Sequence, residues 1–294
     1  MVPADPSLDR FAAPGAVAEA LDGIDYLADE GLATAAFLAL RMGKPLLLEG
    51  QPGVGKTEAA KAIAAIGGRD LIRLQCHEGI DATQALYEWN YPRQLLAIRQ
   101  ADGGEVDLYG QAFLIERPLL AAVRRPRSTV LLIDEVDRSD HEFEAFLLEF
   151  LSDFQISIPE TGAVRAEVRP IVVLTSNRTR ELHDALRRRC VYHWIAYPDP
   201  AREAEIILRR AGGIVRATAE AVARAVQDLR RLPLVKPPGI AEAVEWTQAA
   251  RIIRGAEGDW PDAFRRAVGV VVKDEDDMAV VTPEIGRVLE EAFA

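Results

Sequence analysis

Only two cysteines, Cys76 and Cys190, occur in 294 residues, and no C-x-x-C spacing is present. A disulfide framework is excluded, and no thiolate metal site has the spacing it needs. Both thiols read as buried groups in a reducing compartment. No apolar run reaches about 18 residues, so no membrane span is expected. The opening MVPADPSLDR lacks a basic region followed by an apolar stretch. No secretory signal is expected, and the expected location is cytoplasmic. Positive charge is also in short supply: 35 Lys and Arg stand against 46 Asp and Glu, a net charge of −11. That balance argues against bulk nucleic-acid binding, which needs a basic footprint. Arg124, Arg125 and Arg127 leave room for one local basic patch. No internal repeat and no low-complexity segment is found.

The 294 residues suffice for one large or two ordinary domains with a substantial core, and a hydrophobic content of 49% predicts a folded chain. Residues 1–23 are rich in Pro, Gly, Asp and Ala and are expected to form a mobile or loosely docked N-terminal arm. Residues 26–42 carry apolar side chains at helical spacing. Leu46, Leu47 and Leu48 then form a short apolar run between Pro45 and Gly50, which reads as a buried strand. TEAAKAIAAI follows as a helix closed by Gly67 and Gly68. LIRL from Leu71, VLLI from Val130, IVVL from Ile171 and VYHWI from Val191 repeat the strand pattern, with helical stretches between most of them. Buried strands alternating with helices predict an α/β fold with a parallel sheet. The core is placed at 24–197. Beyond YPDP only helices are read, so 198–294 is expected to be a small all-helical domain. Its last helix is expected to start with Thr282 as N-cap and Pro283 at the first helical position.

The chemistry concentrates in the core. GQPGVGKT, from Gly50 through Gln51, Pro52, Gly53, Val54, Gly55 and Lys56 to Thr57, matches G-x-x-x-x-G-K-[ST] and sits between a strand and a helix that continues with Glu58. Glycines let backbone N–H groups converge on phosphate oxygens, and the helix N-terminus adds partial positive charge. Lys56 is expected to reach the β- and γ-phosphates, and the Thr57 hydroxyl to ligate Mg²⁺. Asp134 and Glu135 end the VLLI strand. The first suits the metal, directly or through water; the second suits polarising an attacking water. Asn177 ends the next strand, where an amide orients that water and senses the γ-phosphate. No NKxD guanine signature and no motif for a second substrate is present. ATP hydrolysis with Mg²⁺ is the expected chemistry. LRRRC, residues 186–190, then gains a meaning beyond a solvated helix end. An arginine presented to the phosphate of a neighbouring subunit can contribute about 10³ to 10⁵ in rate.

As a set, these motifs resemble those of the AAA+ ATPases, and specifically the MoxR family. DEVDRSDHEFEAFLLEFL, TSNRTRELHDALRRRC, KPPGIAEAVEW and HEGIDATQALYEWNYPRQLL are closest to its CoxD-like branch. The resemblance runs from about residue 26 to the end. It implies a five-stranded P-loop core with a helical lid, assembled as a ring, usually a hexamer, with ATP between subunits. It implies Asp134 on Mg²⁺, Glu135 as base and Asn177 as sensor 1. By analogy with related endings, the arginine finger is Arg189, with Arg188 in reserve and Arg187 capping its helix. It implies a helix-2 insertion near 101–110 and a hairpin before sensor 1 near 154–169. It suggests a chaperone that remodels a client or assists a carbon monoxide dehydrogenase-like metalloenzyme, with a von Willebrand factor A domain partner. The alternative within the same clade is a nucleic-acid-directed motor or loader. One departure stands out. The lid segment PPGIAE, residues 237–242, lacks the sensor 2 arginine of many relatives, which puts lid sensing of ATP in doubt; lid movement would instead rest on packing of Ile240 and Trp246. YEWNY, residues 87–91, reads as an aromatic anchor for the first insertion, with a partner contact as the alternative. Trp246 reads as core.

Overall fold

Three of the apolar runs become strands with every residue buried: Leu46–Gly50, Thr129–Asp134 and Ile171–Ser176. They lie side by side in the middle of a five-stranded parallel sheet. Its order is Asp70–Gln75, Thr129–Asp134, Ile171–Ser176, Leu46–Gly50, Val191–Ile195. Continuous Leu, Ile and Val suit strands covered on both faces, and the two outer strands are partly exposed. The register pairs Gln75 with Asp134, Ile133 with Leu174 and Glu49 with Ser176. The carboxyl ends of four strands are thereby aligned, where an open α/β sheet binds ligands.

The computed structural model describes residues 2–101 and 105–294. These fall into two compact units, Met1–Gly50 with Lys56–Trp194, and Gln51–Gly55 with Ile195–Ala294. The expected insertion at 101–110 includes 102–104, which lie outside the described residues. Among the described residues, no helix is long and apolar enough to cross a membrane.

The expected arm at 1–23 is not loose over its described residues, 2–23. Val2, Leu8, Phe11, Val17 and Leu21 are buried, and Pro14–Asp22 is an α-helix packed on Glu30–Met42. Their composition hid a small apolar face and a buried ion pair. The Arg69 guanidinium donates to Asp5 Oδ2 at 2.5 Å, to Ser7 Oγ at 3.1 Å and to the Pro126 carbonyl at 2.8 Å. Burial pushes the Asp5 carboxyl up, but the Ser7 N–H and Arg69 outweigh it and hold the pKa below its usual value. The next helix begins at Glu30 and not at Tyr26, because Asp29 accepts from the Leu32 N–H at 2.6 Å and caps it.

Two short antiparallel pairs decorate this unit. Tyr87–Trp89 pairs with Leu114–Glu116, and Gln155–Ile158 with Gly162–Arg165. In YEWNY, Trp89 is buried against Tyr87 and Tyr109, whereas Tyr91 is 62% exposed. The anchor reading holds for Trp89 and fails for Tyr91. In the second pair Ile156 and Ile158 are buried and Gln155 and Ser157 exposed, the alternation of a strand with one covered face. The basic patch is partly offset: Arg124 and Arg125 share Glu116, and Arg127 lies 3.8 Å from Glu167 and from Asp5, which Arg69 already pairs.

From Pro200 onward the second unit is helical, around Trp246, Phe264, Val222, Val226 and Leu289. Trp246 is fully buried; its ring meets Phe264 edge-on at 4.9 Å and its Nε1–H donates to the Phe264 carbonyl at 3.0 Å. The stretch DAFRRAVGVVV is not one continuous helix: it divides between Trp260–Arg266 and Val268–Val271. Thr282 is not an N-cap. It follows the helix Glu275–Val281 with helical φ and ψ, and its hydroxyl donates back to the Met278 carbonyl at 2.7 Å. The last helix starts at Ile285.

Replacing Asp5 with Ala should lower stability in urea unfolding by about 3 kcal/mol at pH 7, because Arg69 keeps a buried, unpaired charge. The depressed Asp5 pKa makes this contribution complete above the usual carboxylate range. The gap between wild type and Asp5→Ala should narrow as pH falls through the lower, folded-state value. A gap that stays constant down to about pH 2 would exclude the ion pair as its source.

Candidate nucleotide site

The loop Gln51–Gly55 turns from the strand Leu46–Gly50 into the helix Lys56–Gly67. Gly53 (φ +77°) and Gly55 (φ +92°) lie in the left-handed region, which side chains disfavour. Space around Gly55 is open, as a phosphate cradle requires, but a Cβ on Gly53 would come within 2.7 Å of Gly239 Cα. Within the second unit the Ile240 N–H donates to the Gly53 carbonyl at 2.9 Å. A Cβ on Gly239 would stand 2.6 Å from Gly53 Cα and 2.8 Å from its carbonyl oxygen. The segment that lacks a sensor arginine therefore meets the loop through bare backbone.

Lys56 is buried, and its Nζ donates to the Gly50 carbonyl at 2.9 Å. Burial pushes its ammonium below the usual value, against the attraction of Asp137, Asp134 and Glu135. The Thr57 hydroxyl faces the Asp134 carboxylate, 3.2 Å from Oδ1 and 3.4 Å from Oδ2. Asp134 is buried and also receives the Thr175 hydroxyl at Oδ1. On Oδ2 it receives Arg73, with Nε at 2.8 Å and Nη2 at 2.5 Å. Among the described residues, no group of three His, Cys, Asp or Glu side chains is placed to hold a metal. A hydroxyl beside one buried carboxylate nevertheless fits Mg²⁺. That ion is commonly held by one or two protein oxygens together with substrate phosphates and water.

Glu135 follows in a left-handed conformation (φ +55°), unusual for a residue with a side chain. Its N–H donates to Thr175 Oγ1 at 2.9 Å. Its carboxylate receives Gln75 Nε2 at 2.8 Å, Arg138 Nε at 3.1 Å and Asn177 Nδ2 at 3.3 Å. Asn177 is carried on a turn fastened by Asp137, a buried carboxylate. Asp137 accepts from the Asn177 N–H at 3.2 Å, the Thr179 N–H at 2.8 Å and the Thr179 hydroxyl at 2.7 Å. Thr57, Asp134, Glu135 and Asn177 are thus brought together.

Arg73, Gln75, Thr175 and Asp137 were not anticipated from the sequence. A signal existed for the first two. Arg73 and Gln75 share one face at the carboxyl end of DLIRLQ, where an apolar strand has no structural need of either. Cys76, the next residue, is buried, and burial first, then Asp134, Asp137 and Glu135, push its thiol up to about 12. Burial likewise pushes Cys190 up to about 12.

The arginines of LRRRC diverge. Arg187 does not merely cap its helix: its Nη2 donates to the buried Glu49 carboxylate at 3.2 Å, and its guanidinium lies over the Tyr192 ring. Arg188 is 82% exposed, 3.7 Å from Asp184. Arg189 is exposed, with Nε donating to Ser152 Oγ at 3.1 Å and Nη1 to the Ala185 carbonyl at 3.3 Å.

Comparison with known proteins agrees with this geometry. Residues 45–190 match the family described as AAA domain (dynein-related subfamily). The chain adopts the α/β AAA+ P-loop fold, with a five-stranded parallel sheet and a C-terminal helical region. The RuvB Holliday junction branch migration motor of Thermotoga maritima superimposes with a TM-score of 0.51 at 20% identity, covering 91% of this chain and 75% of that one. A point mutant of the same motor gives 0.53 at 19% identity, over 87% and 74%. Among curated proteins, NorQ of Paracoccus denitrificans is 29% identical over 175 residues, 57% of this chain and 58% of NorQ. Human fidgetin-like protein 1 is 27% identical over 171 residues, 56% of this chain and 21% of that protein. The chain therefore spans less than two thirds of the length of these relatives. The matches place an AAA domain over residues 45–190 and a partial similarity to NorQ, and they stop short of the CoxD-like branch.

Substituting Gly239 with Ala should cost about 1–3 kcal/mol by overpacking against Gly53. A thermal melt indistinguishable from wild type would show that the close approach of the two glycines is not maintained in solution.

Proposed function

We propose that this chain hydrolyses ATP with Mg²⁺ and couples hydrolysis to remodelling of a client protein. The observation that carries the first part is the convergence of Thr57, Asp134, Glu135 and Asn177 after a glycine-rich loop whose two left-handed glycines disfavour any side chain. Backbone N–H groups of residues 51–57 would cradle the phosphates, and Lys56 would leave the Gly50 carbonyl for the β- and γ-oxygens. The Thr57 hydroxyl and the Asp134 carboxylate would hold Mg²⁺, which supplies charge to the developing phosphate oxygens. Glu135 orients a water for in-line attack and accepts its proton. Asn177, already 3.3 Å from Glu135, fixes where that water sits. Strain at Glu135 is consistent with a carboxylate held in one direction by its surroundings.

Completion of the site requires a second copy. Arg189 on the surface of a neighbouring subunit is the proposed finger, and Arg188 the reserve; Arg187 is committed to Glu49. The assembly is proposed as a ring, most simply a hexamer, in the cytoplasm. The resemblance of HEGIDATQALYEWNYPRQLL to the CoxD-like branch supports a metalloenzyme client of the carbon monoxide dehydrogenase type and a von Willebrand factor A domain partner. A protein client is favoured over nucleic acid because Arg124, Arg125 and Arg127 face acids in a chain of net charge −11. The hairpin at 154–169 is proposed to face that client.

The test is ATPase rate against protein concentration. Glu135→Gln and Arg189→Ala should each lose about 10³-fold or more, and the wild-type rate per chain should rise with concentration. Mixing inactive Arg189→Ala with inactive Lys56→Ala should restore turnover, since each spoils a different side of one interface. Normal rates for both Arg189→Ala and Arg188→Ala at every concentration would overturn the trans mechanism. Stimulation by DNA that fades with salt would overturn the protein-client reading.

A further inference from the structure

Asp134 is the metal carboxylate of the reading above, and in this chain it already has a cation. Its side chain is only 3% exposed, and a carboxylate so buried needs compensating charge. Arg73 supplies it from the adjacent strand, gripping Oδ2 with both Nε and Nη2. Oδ1 is taken by the Thr175 hydroxyl. The Thr57 hydroxyl sits across both oxygens, at 3.2 and 3.4 Å. An ion bridging Thr57 and Asp134 would therefore have to share the carboxylate with a guanidinium, and two cations on one carboxylate repel. Arg69 and Arg73, four residues apart, make ion pairs of different kinds. Arg69 is locked, with its side chain 2% exposed against Asp5. The Arg73 side chain is 52% exposed and is steadied toward the site by the Gln75 amide oxygen. It can swing into solvent without leaving a buried charge of its own behind.

We propose that Arg73 is a displaceable counter-ion on Asp134, which neutralises the carboxylate when Mg²⁺ is absent and must be expelled for Mg²⁺ to bind. This rests on the ATP-site reading. Arg73 preserves the fold of the empty site at the expense of metal affinity, so the metal arrives with nucleotide phosphates and does not occupy the free protein. In this role it is a positioning residue: it acts on Asp134 and contacts no phosphate.

The test uses the full chain, ADP and Mn²⁺ as the probe, with free Mn²⁺ read by electron paramagnetic resonance. ADP binding is measured first in EDTA. Arg73→Gln and Arg73→Ala should bind Mn²⁺ about tenfold more tightly in the presence of ADP, the order of a typical coupling between two ligands of one site. Their ADP affinity in EDTA should match wild type. Arg73→Lys, which keeps the charge, should keep weak Mn²⁺ binding. In EDTA, Arg73→Gln should melt earlier than wild type, and Mn²⁺ with ADP should raise its melting temperature by more than it raises that of wild type. Unchanged or weaker Mn²⁺ binding in folded Arg73→Gln overturns the proposal. A fall in EDTA-state ADP affinity also overturns it, because Arg73 would then be a phosphate ligand. Absence of ADP binding in wild type overturns the nucleotide reading itself, and the counter-ion role with it.

Discussion

A buried carboxylate at the end of a buried strand is the constraint around which the core is arranged. Thr129–Asp134 has no exposed residue, so Asp134 emerges from a wholly buried run directly into the site. An unpaired charge there would cost several kcal/mol. Each partner that relieves the cost comes from a different element. Thr57 comes from the helix behind the phosphate loop, Arg73 from the strand on one side and Thr175 from the strand on the other. The sheet order is what makes this possible, because it sets Asp70–Gln75 and Ile171–Ser176 on either side of Thr129–Asp134 with their carboxyl ends level.

Thr175 shows how closely fold and site are joined. Its hydroxyl donates to Asp134 and accepts from the Glu135 N–H, so one oxygen sets the carboxylate that suits a metal and the backbone that aims the next one. Glu135 is held left-handed by that bond and by three donors on its carboxylate. Asp137 does the same for the turn after Ser176, where Arg178 is also left-handed (φ +57°). Strained backbone persists only where surrounding bonds over-determine it. Here both left-handed residues follow buried strands at their carboxyl ends, Glu135 within the candidate site and Arg178 with its guanidinium over the Trp194 ring.

Much of this was legible in the sequence, and the parts that were not share a cause. The three central strands were visible because short runs dominated by Leu, Ile and Val suit strands covered on both faces, and GQPGVGKT needs its glycines for conformational reasons that hold in any context. Asp134, Glu135 and Asn177 were readable from their places at strand ends. Arg73 and Gln75 also stood near a strand end, but their partners depend on which strand lies beside Asp70–Gln75, and sheet order is not written in local pattern. The first residues misled for the converse reason. Pro, Gly and Asp suggest a loose arm, yet Asp5 is fixed by Arg69, 64 positions away. Thr282 and Pro283 carried a good capping signal that tertiary packing overrode, since the helix they were to begin starts at Ile285.

The cluster LRRRC illustrates how structure can divide a run of like charge. In a chain of net charge −11, three adjacent guanidiniums could all have been solvating groups. Helical geometry sends them in different directions, about 100° apart per residue. Arg187 turns inward to Glu49, the residue just before the phosphate loop, and cannot leave without stranding a buried carboxylate. Among the described residues, Arg188 and Arg189 are held by surface contacts with Asp184, Ser152 and a helical carbonyl. Exposed pairs of this kind are worth at most about 1 kcal/mol, so either side chain is available to a neighbour at little cost. The same distinction separates Arg69 from Arg73 at the other side of the sheet. In both places one arginine is bound into the fold and its near neighbour in sequence is left free enough to respond to a ligand or a partner.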